Sequence, residues 1–137
     1  MNSLFYGDNL DIMRGMSDES VDLCYVDPPF NSKRDYNQIY NNIGKEDQAQ
    51  AMAFVDTWEW TARIEREYQE ICSGGKFTTE VSDLTRGLYK ILGKGSLMAY
   101  LVSMALRINE IYRLLKPTGS FYLHCGPDGE PLSENRA

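Results

Sequence analysis

The apolar positions of the first 26 residues change their period twice. The run SLFYG at residues 3–7 is apolar and closed by a glycine, which predicts a short strand. In the DNLDIMRGM that follows, Leu10, Met13 and Met16 recur at helical spacing and predict one short helix. Apolar side chains return to strand character at residues 21–26. A strand, a helix and a strand within about 25 residues predict a parallel βαβ unit.

The rest of the chain predicts three more helices and one more strand. Residues 31–50 are polar and predict a long loop, which in a compact domain usually has a function. The helices are expected at residues 56–72, 79–92 and 96–116, and the strand at residues 120–125. The first of these helices begins at an Asp56-x-x-Glu59 capping box, and Ser96 is the N-cap of the third. This order predicts an α/β fold, a mostly parallel sheet with inserted helices.

Composition restricts the class of protein. The chain has 137 residues, of which 42% are apolar and 25% charged, as in one soluble globular unit. No apolar run is long enough for a transmembrane helix, and the first residues do not resemble a signal peptide, so we expect no membrane contact and a cytoplasmic location. Three scattered cysteines, Cys24, Cys72 and Cys125, lack metal-ligand and disulfide spacing, which predicts reduced thiols and no metal site.

The formal net charge of −6 bears on nucleic-acid binding. A DNA-binding domain is expected to have a basic face, because neutralising phosphates supplies most of the affinity. The local basic residues mostly have acidic neighbours; they are Lys33, Arg34, Arg63, Arg66 and Lys76. We therefore expect this chain by itself to bind DNA weakly.

The most specific motif is DPPF at residues 27–30, directly after an apolar strand. Two consecutive prolines can neither continue a strand ladder nor enter a helix interior, so they form a rigid corner. Ligands of open α/β sheets bind beyond the carboxyl ends of the strands. The Asp27 carboxylate and the Pro28 carbonyl are two fixed acceptors there. Pro29 keeps the corner rigid, and Phe30 offers a flat ring, so a planar ring that bears an amino group fits the corner.

Such a corner suits the exocyclic amine of adenine or cytosine. That amine is a poor nucleophile because its lone pair is delocalised into the ring. Two acceptors that hold its protons favour a pyramidal nitrogen, whose lone pair is then free to attack an electrophilic methyl group in line. In duplex DNA the base must first be flipped out of the stack. The structural alternative is a rigid strand-to-loop turn with an exposed aspartate.

The motifs resemble those of a known family, the amino-methylating, site-specific DNA methyltransferases of restriction–modification type. The similar segments are LFYGDNLDIM, SVDLCYVDPPFN and RLLKPTGSFYLHC, within residues 3–125, and the subgroup is the permuted one whose catalytic half comes first. The resemblance implies a Rossmann-like methyltransferase fold, here incomplete, with S-adenosylmethionine as cofactor and double-stranded DNA as partner. Adenine is the favoured base. The implied site residues are Asp27, Pro28 and Phe30 on the base, Pro29 at the corner, and Asp8 near the adenine of the cofactor.

The resemblance also indicates what is missing. In that subgroup a Phe-x-Gly-x-Gly loop holds the methionine part of the cofactor and comes after the catalytic strands, and this sequence has neither that loop nor a target-recognition region. The glycines of CSGGK at residues 72–76 follow a helix, and C-capping explains them. The sequence therefore predicts the N-terminal catalytic half of a methylase domain at residues 1–125, without the main methyl-donor pocket.

The tail at residues 126–137 departs from the family pattern. The family usually continues from His-Cys with Asp-Pro-Thr-Ala-Ser-His-Tyr-Leu-Lys, whereas this chain has GPDGEPLSENRA. One permitted codon set for this tail encodes the family continuation once its first base is deleted. We therefore expect that a one-base insertion near codon 126 shifted the frame, giving an unstructured tail. Apolar helix faces such as Leu97, Leu101 and Leu106 would lack their covers, and the product would be unstable and inactive.

Two functional alternatives stay open. The chain could be a non-catalytic subunit or remnant that pairs with a partner, either a complementary methyltransferase chain with the cofactor loop or a restriction subunit. It could also methylate an amine of a protein or an RNA, because Asp/Asn-Pro-Pro-aromatic corners grip such groups as well. Among other residues, the single histidine, His124, is expected to be packed in a strand, and Trp58 and Trp60 to be core and half-exposed helix residues.

Overall fold

The computed structural model describes residues 2–28 and 58–124. Its elements in chain order are α1 (Asn9–Arg14), β1 (Val21–Val26), α2 (Ala62–Ser73), α3 (Thr79–Leu92), α4 (Ser96–Leu114) and β2 (Leu115–Leu123). Helices combined with a parallel sheet confirm the predicted α/β class. The polar loop, the boundary at residue 125 and the tail lie outside the described residues, so these remain predictions.

The two strands of the sheet are parallel. Lys116 Nζ lies 2.8 Å from Asp22 Oδ1, and the backbone N–H of His124 donates to the Val26 carbonyl at 2.8 Å. Residue numbers therefore rise together along both strands, as in a parallel pair. The crossover between β1 and β2 includes α2, α3 and α4.

The chain divides into two compact units. The first consists of Met1–Cys24 and Trp58–Ser120 and contains the four described helices. The second consists of Tyr25–Thr57 and Phe121–Ala137. Its described residues are the carboxyl ends of β1 and β2 with the residues that directly follow them.

The core of the first unit is built around α4, which packs against α1, α2 and α3. This central position explains why the first half of α4 is apolar on nearly all sides. The buried cluster consists of Leu10, Ile64, Ile71, Met98, Ala99, Val102 and Leu106. Leu106 is only 3% exposed, so the expectation that it lacks a cover was wrong: the first unit supplies one. Leu97 is 54% exposed, as expected. No helix in the described part of the chain is long and apolar enough to span a bilayer.

The predicted strand at residues 3–7 was wrong. Residues 2–6 have no regular secondary structure, and Leu4, Phe5 and Tyr6 are exposed. A strand needs a neighbour that pairs with its backbone groups, and the sheet of the described residues consists of β1 and β2 alone. The expected βαβ unit in the first 26 residues therefore does not form.

The start of α2 differs from the predicted one. The helix begins at Ala62 because Thr61 is its N-cap, and Thr61 Oγ1 accepts a hydrogen bond from the Ile64 N–H at 3.3 Å. The capping box from Asp56 to Glu59 was therefore the wrong start. The predicted stop at the SGG segment is confirmed, and α3 has the predicted bounds.

Both ends of α4 also differ from the predicted ones. Its N-cap is Gly95 rather than Ser96, and no side chain caps it. The helix ends at Leu114 and β2 begins at once with Leu115, five residues earlier than expected from the start predicted at residue 120. Pro117 cannot continue a helix, but an edge strand tolerates it, so the chain is already extended before the predicted breaker.

Trp58 and Trp60 precede α2 and pack against the core from outside it. The Trp60 indole N–H donates to Glu65 Oε2 at 2.9 Å, and its ring lies 5.4 Å from that of Tyr89. The Trp58 ring meets Tyr100 edge-on at 5.5 Å. Trp60 is half-buried as predicted, whereas Trp58 packs against the core instead of belonging to it, and neither tryptophan is in the helix.

Two arginines of α4 hold the two ends of α1. At the N-terminal end, Arg107 contacts Asp8, the N-cap of α1. At the C-terminal end, Arg113 donates to the Met13 carbonyl at 2.8 Å and to the Met16 carbonyl at 3.0 Å. The Met13 carbonyl belongs to the last turn of α1, and Met16 follows that helix, so Arg113 ties the C-terminal end of α1 and the residues after it to α4. A helix of six residues is too short to be stable alone, so α4 stabilises it.

An apolar cavity of about 140 Å³ lies beside β1 in the first unit. Its lining consists of Met13, Met16, Val21, Cys24, Ile111 and Leu114. Burial raises the pKa of the Cys24 thiol, which keeps it protonated. Among the described cysteines, Cys24 and Cys72 are partly exposed and form no disulfide, and their reduced state remains a prediction.

Candidate active site

The candidate active site lies at the carboxyl ends of the two strands, in the second unit. β1 ends at Val26 and is followed by Asp27 and Pro28, while β2 ends at Leu123 and is followed by His124. The hydrogen bond from the His124 N–H to the Val26 carbonyl continues the pairing to this point. Because the strands are parallel, the residues that follow them meet at one edge of the sheet.

Asp27 and Pro28 have opposite environments. The Asp27 side chain is 58% exposed, whereas Pro28 is buried. Pro28 lacks an N–H and cannot extend the ladder, so the strand stops here. The Asp27 carboxylate is therefore exposed to solvent, whereas the next residue of the chain, Pro28, is buried. Pro29 and Phe30 lie outside the described residues, and their roles remain predictions.

Two residues that the sequence did not assign to the site lie beside Asp27. The Tyr25 hydroxyl lies 3.0 Å from His124 Nδ1, and the two ring centroids are 6.2 Å apart. The same Nδ1 lies 4.0 Å from Asp27 Oδ1, beyond hydrogen-bond range. His124 comes directly after β2, and its side chain is 32% exposed, so the expected packed strand position was wrong.

Two features of the sequence could have indicated that Tyr25, Asp27 and His124 lie close together. Tyr25 and Asp27 are two positions apart, so extended backbone directs both side chains to one face. His124 is the single histidine and follows the second strand of a parallel pair. What the sequence could not give is the pairing itself, because it joins positions 99 apart.

Asp8, the predicted cofactor residue, lies in the first unit and caps α1. Its Oδ1 accepts from the Leu10 N–H and from Arg107 Nη2, both at 2.9 Å. Its Oδ2 accepts from Arg63 Nη2 at 2.6 Å and from Arg107 Nη2 at 3.1 Å. Burial works to raise the pKa of Asp8, but the Arg63 hydrogen bond, the Leu10 N–H and the two guanidinium charges outweigh it and lower that pKa. The carboxylate is ionised at neutral pH.

As described, Asp8 does not fit the amino group of a cofactor's adenine. A carboxylate has about four lone-pair sites, and protein donors already occupy both of its oxygens. Arg107 is held tightly, with 15% of its side chain exposed, whereas Arg63 is 50% exposed and also pairs with Glu67 at 2.8 Å. A cofactor contact would require Arg63 to release Oδ2. Within residues 2–28 and 58–124, no cluster of three His, Cys, Asp or Glu side chains could hold a metal ion.

Comparison with known proteins places the chain in a family. A family model described as DNA methylase matches residues 21–132, which include both strands and the candidate active site. The class that the fold and the match define is the amino-methylating DNA methyltransferases. The chain belongs to the DNA methylase family. No curated protein and no solved structure matches it.

Proposed function

We propose that this chain provides the base-binding corner of a site-specific methyltransferase that moves a methyl group from S-adenosylmethionine to the exocyclic amine of a flipped base in double-stranded DNA, with adenine favoured, and that it is inactive without a chain that carries the cofactor loop. The position of Asp27 carries the proposal. This carboxylate directly follows β1 at the carboxyl edge of a parallel sheet, is 58% exposed, and lies within the region that matches the DNA methylases.

Asp27 and Pro28 act on the amine of the base. The Asp27 carboxylate and the Pro28 carbonyl each accept a hydrogen bond from one N–H of the amine, which localises the nitrogen lone pair and orients it for attack. Asp27 is also the acceptor that we assign to the proton that the nitrogen loses after methylation. Phe30 stacks on the ring, and Pro29 keeps the corner rigid.

For Asp8 we propose a contact with the cofactor that depends on Arg63. When Arg63 releases Oδ2, that oxygen becomes available to an amino group. Oδ1 still accepts from Leu10 and Arg107, so α1 stays capped. Arg63 is more exposed than Arg107, which supports Arg63 as the arginine that releases Asp8.

The family match favours DNA over a protein or RNA amine as substrate. A partner chain that carries the cofactor loop, or a restriction subunit, rests on the sequence alone and remains a prediction.

The test is a methylation assay on the full chain, by itself and together with a complementary methyltransferase chain that carries the cofactor loop. The protein is incubated with methyl-tritiated S-adenosylmethionine and duplex DNA of mixed sequence, and the DNA is then digested to nucleosides. We expect label in N6-methyladenine from the two chains together and none from this chain by itself. Asp27→Asn lowers the rate by about 100-fold or more, because it removes a preorganised charge at the reacting group. Asp83→Asn, the same change at an exposed aspartate of α3, leaves the rate unchanged.

Each other result has a meaning. Label in N4-methylcytosine overturns the adenine preference. A normal rate in Asp27→Asn removes Asp27 from the mechanism. Label in added RNA or protein but not in DNA changes the substrate class. Label from this chain by itself overturns the predicted inactivity, and no label from the two chains together beyond that of the complementary chain alone means that this chain does not take part in the reaction.

A further inference from the structure

We infer that Tyr25 and His124 are positioning residues for Asp27: the Tyr25 hydroxyl donates to His124 Nδ1 and so prevents the imidazole from binding the Asp27 carboxylate. The inference rests on the proposed function, in which Asp27 must stay available to the amine of the base. It assigns a role to two side chains that the methylation chemistry itself does not use.

The geometry places one nitrogen between two oxygens. His124 Nδ1 is 3.0 Å from the Tyr25 hydroxyl and 4.0 Å from Asp27 Oδ1. The first distance is that of a hydrogen bond, and the second needs a shift of only about 1 Å to become one. Nδ1 therefore has two possible partners, and its protonation decides between them.

A neutral imidazole has one donor nitrogen and one acceptor nitrogen. When Nδ1 is the acceptor, it takes the Tyr25 proton and offers nothing to a carboxylate. When Nδ1 carries the proton, it is a donor, and the charged Asp27 carboxylate is a stronger acceptor than a phenol oxygen. The Tyr25 hydroxyl selects the first tautomer and leaves Asp27 free.

A shift of the main chain does not decide whether the His124 ring binds Asp27. The His124 N–H is bonded to the Val26 carbonyl at 2.8 Å, which fixes the main chain of both strands next to the site. Tyr25 and Asp27 share one face of the extended chain. With the main chain fixed, the tautomer of His124 determines whether Asp27 is captured.

The direct test is the tautomer of His124. Because the chain has one histidine, 15N-labelled histidine gives one imidazole signal set by NMR. In the neutral ring of the full-length wild-type chain we expect the proton on Nε2. In Tyr25→Phe, part of the population moves it to Nδ1. Tyr112→Phe, the same change at a tyrosine of α4 that is 81% exposed, leaves the tautomer unchanged. A proton on Nδ1 in the wild type, or an unchanged tautomer in Tyr25→Phe, overturns the inference.

A second variant tests the carboxylate. In the double variant with Tyr25→Phe and Asp27→Asn, the fraction of His124 rings with the proton on Nδ1 should be lower than in Tyr25→Phe. The reason is that a neutral amide is a weaker acceptor than a carboxylate. If that fraction is the same with and without the Asp27 charge, the carboxylate does not bind the ring, and the inference is wrong.

The kinetic test is a rescue, measured with the complementary methyltransferase chain present. We expect Tyr25→Phe to lower kcat by about tenfold with little change in the KM for DNA. Adding His124→Phe, which keeps a ring but has no nitrogen to bind Asp27, restores most of the rate. If the double variant is as slow as Tyr25→Phe, His124 does not bind Asp27 in Tyr25→Phe, and the inference is wrong. The NMR result does not depend on methylation, so an unmoved tautomer contradicts this inference alone, whereas an active Asp27→Asn contradicts the proposed function.

Discussion

Arg107 Nη2 lies 2.9 and 3.1 Å from the two carboxylate oxygens of Asp8, although the two residues are 99 positions apart in the chain. The same guanidinium donates through Nε to Asn9 Oδ1 at 2.8 Å and through Nη1 to the Ser103 carbonyl at 3.0 Å. Asp8 thus caps α1 and binds α4 with one carboxylate. This relationship makes the ionisation of Asp8 a stability determinant as well as a candidate for function.

Acid should weaken the fold through Asp8. Its pKa is lowered in the folded chain, so its contribution is fully present above the unfolded aspartate pKa of about 3.9 and is lost as the pH falls through the folded value. We expect Asp8→Asn to have a lower free energy of unfolding than the wild type at pH 6. The difference shrinks below about pH 4. Urea unfolding at several pH values measures it, and a difference that does not depend on pH contradicts the assignment.

Arg63 should compete with the cofactor for Asp8. Arg63→Ala removes the shorter of the two hydrogen bonds that Oδ2 accepts and leaves that from Arg107, so one acceptor site becomes available. S-adenosylmethionine should then bind about three- to tenfold more tightly than to the wild type, as expected for one gained hydrogen bond. Asp8→Asn should weaken binding. Arg66→Ala removes an exposed arginine of the same helix and is the matched control. Calorimetry on the three variants gives the affinities, and equal values for Arg63→Ala and the wild type remove Asp8 from the cofactor site.

Two glycines should respond in opposite directions to alanine. A Cβ at Gly119 would lie 3.0 Å from both Leu115 Cδ2 and the Lys116 carbonyl oxygen, and 3.2 Å from the Asp22 carbonyl oxygen on β1. Backbone atoms cannot move aside cheaply, so Gly119→Ala should cost about 1–3 kcal/mol. A Cβ at Gly87, inside α3, meets nothing within 4 Å, and Gly87→Ala should stabilise by about 0.5–1 kcal/mol. Thermal unfolding of both variants checks the signs. A neutral Gly119→Ala would mean that the strands are not packed this closely.

The cavity beside β1 should accept one more carbon. Val21→Ile adds a methylene to its apolar lining and should stabilise the chain by about 0.5–1 kcal/mol. Val81→Ile makes the same change on α3 at a position that is 37% exposed, and should be nearly neutral. The comparison uses the midpoints of urea unfolding. A loss of stability in Val21→Ile alone would show that the cavity cannot hold the extra group.

Local signals in the sequence were sufficient where the structure depends on local contacts. The bounds of α3 were predicted because its N-terminal residues and the closing Gly93 are adjacent to it, and β1 because its apolar run ends at the prolines. The apolar run at residues 3–7 failed as a strand because a strand depends on a partner elsewhere. Leu106 was expected to need a cover from strands beyond residue 125, but the buried cluster of the first unit covers it, with Leu10, Ile64 and Ile71 contributed by helices distant in sequence.

The candidate site, too, was predicted from the sequence only where the signal is local. DPPF located Asp27 at the end of β1, since a strand followed by two prolines is a local pattern. The contacts of Asp27 and Asp8 were not predicted. Asp27 has His124 as its neighbour, and Asp8 is held by two arginines on other helices, so these contacts join positions at least 55 apart. A linear pattern contains no signal for such pairs.

The two arginines that hold α1 also determine when it can form during synthesis. Asp8 and Met13 leave the ribosome about a hundred residues before Arg107 and Arg113, their partners at sequence separations of 99 and 100. At roughly 5–20 residues per second, that delay is about 5–20 s. Throughout it the α1 segment, with Leu10 in it, is an unanchored nascent chain that chaperones can bind. The first helix of this protein is therefore anchored only after α4 has been synthesised.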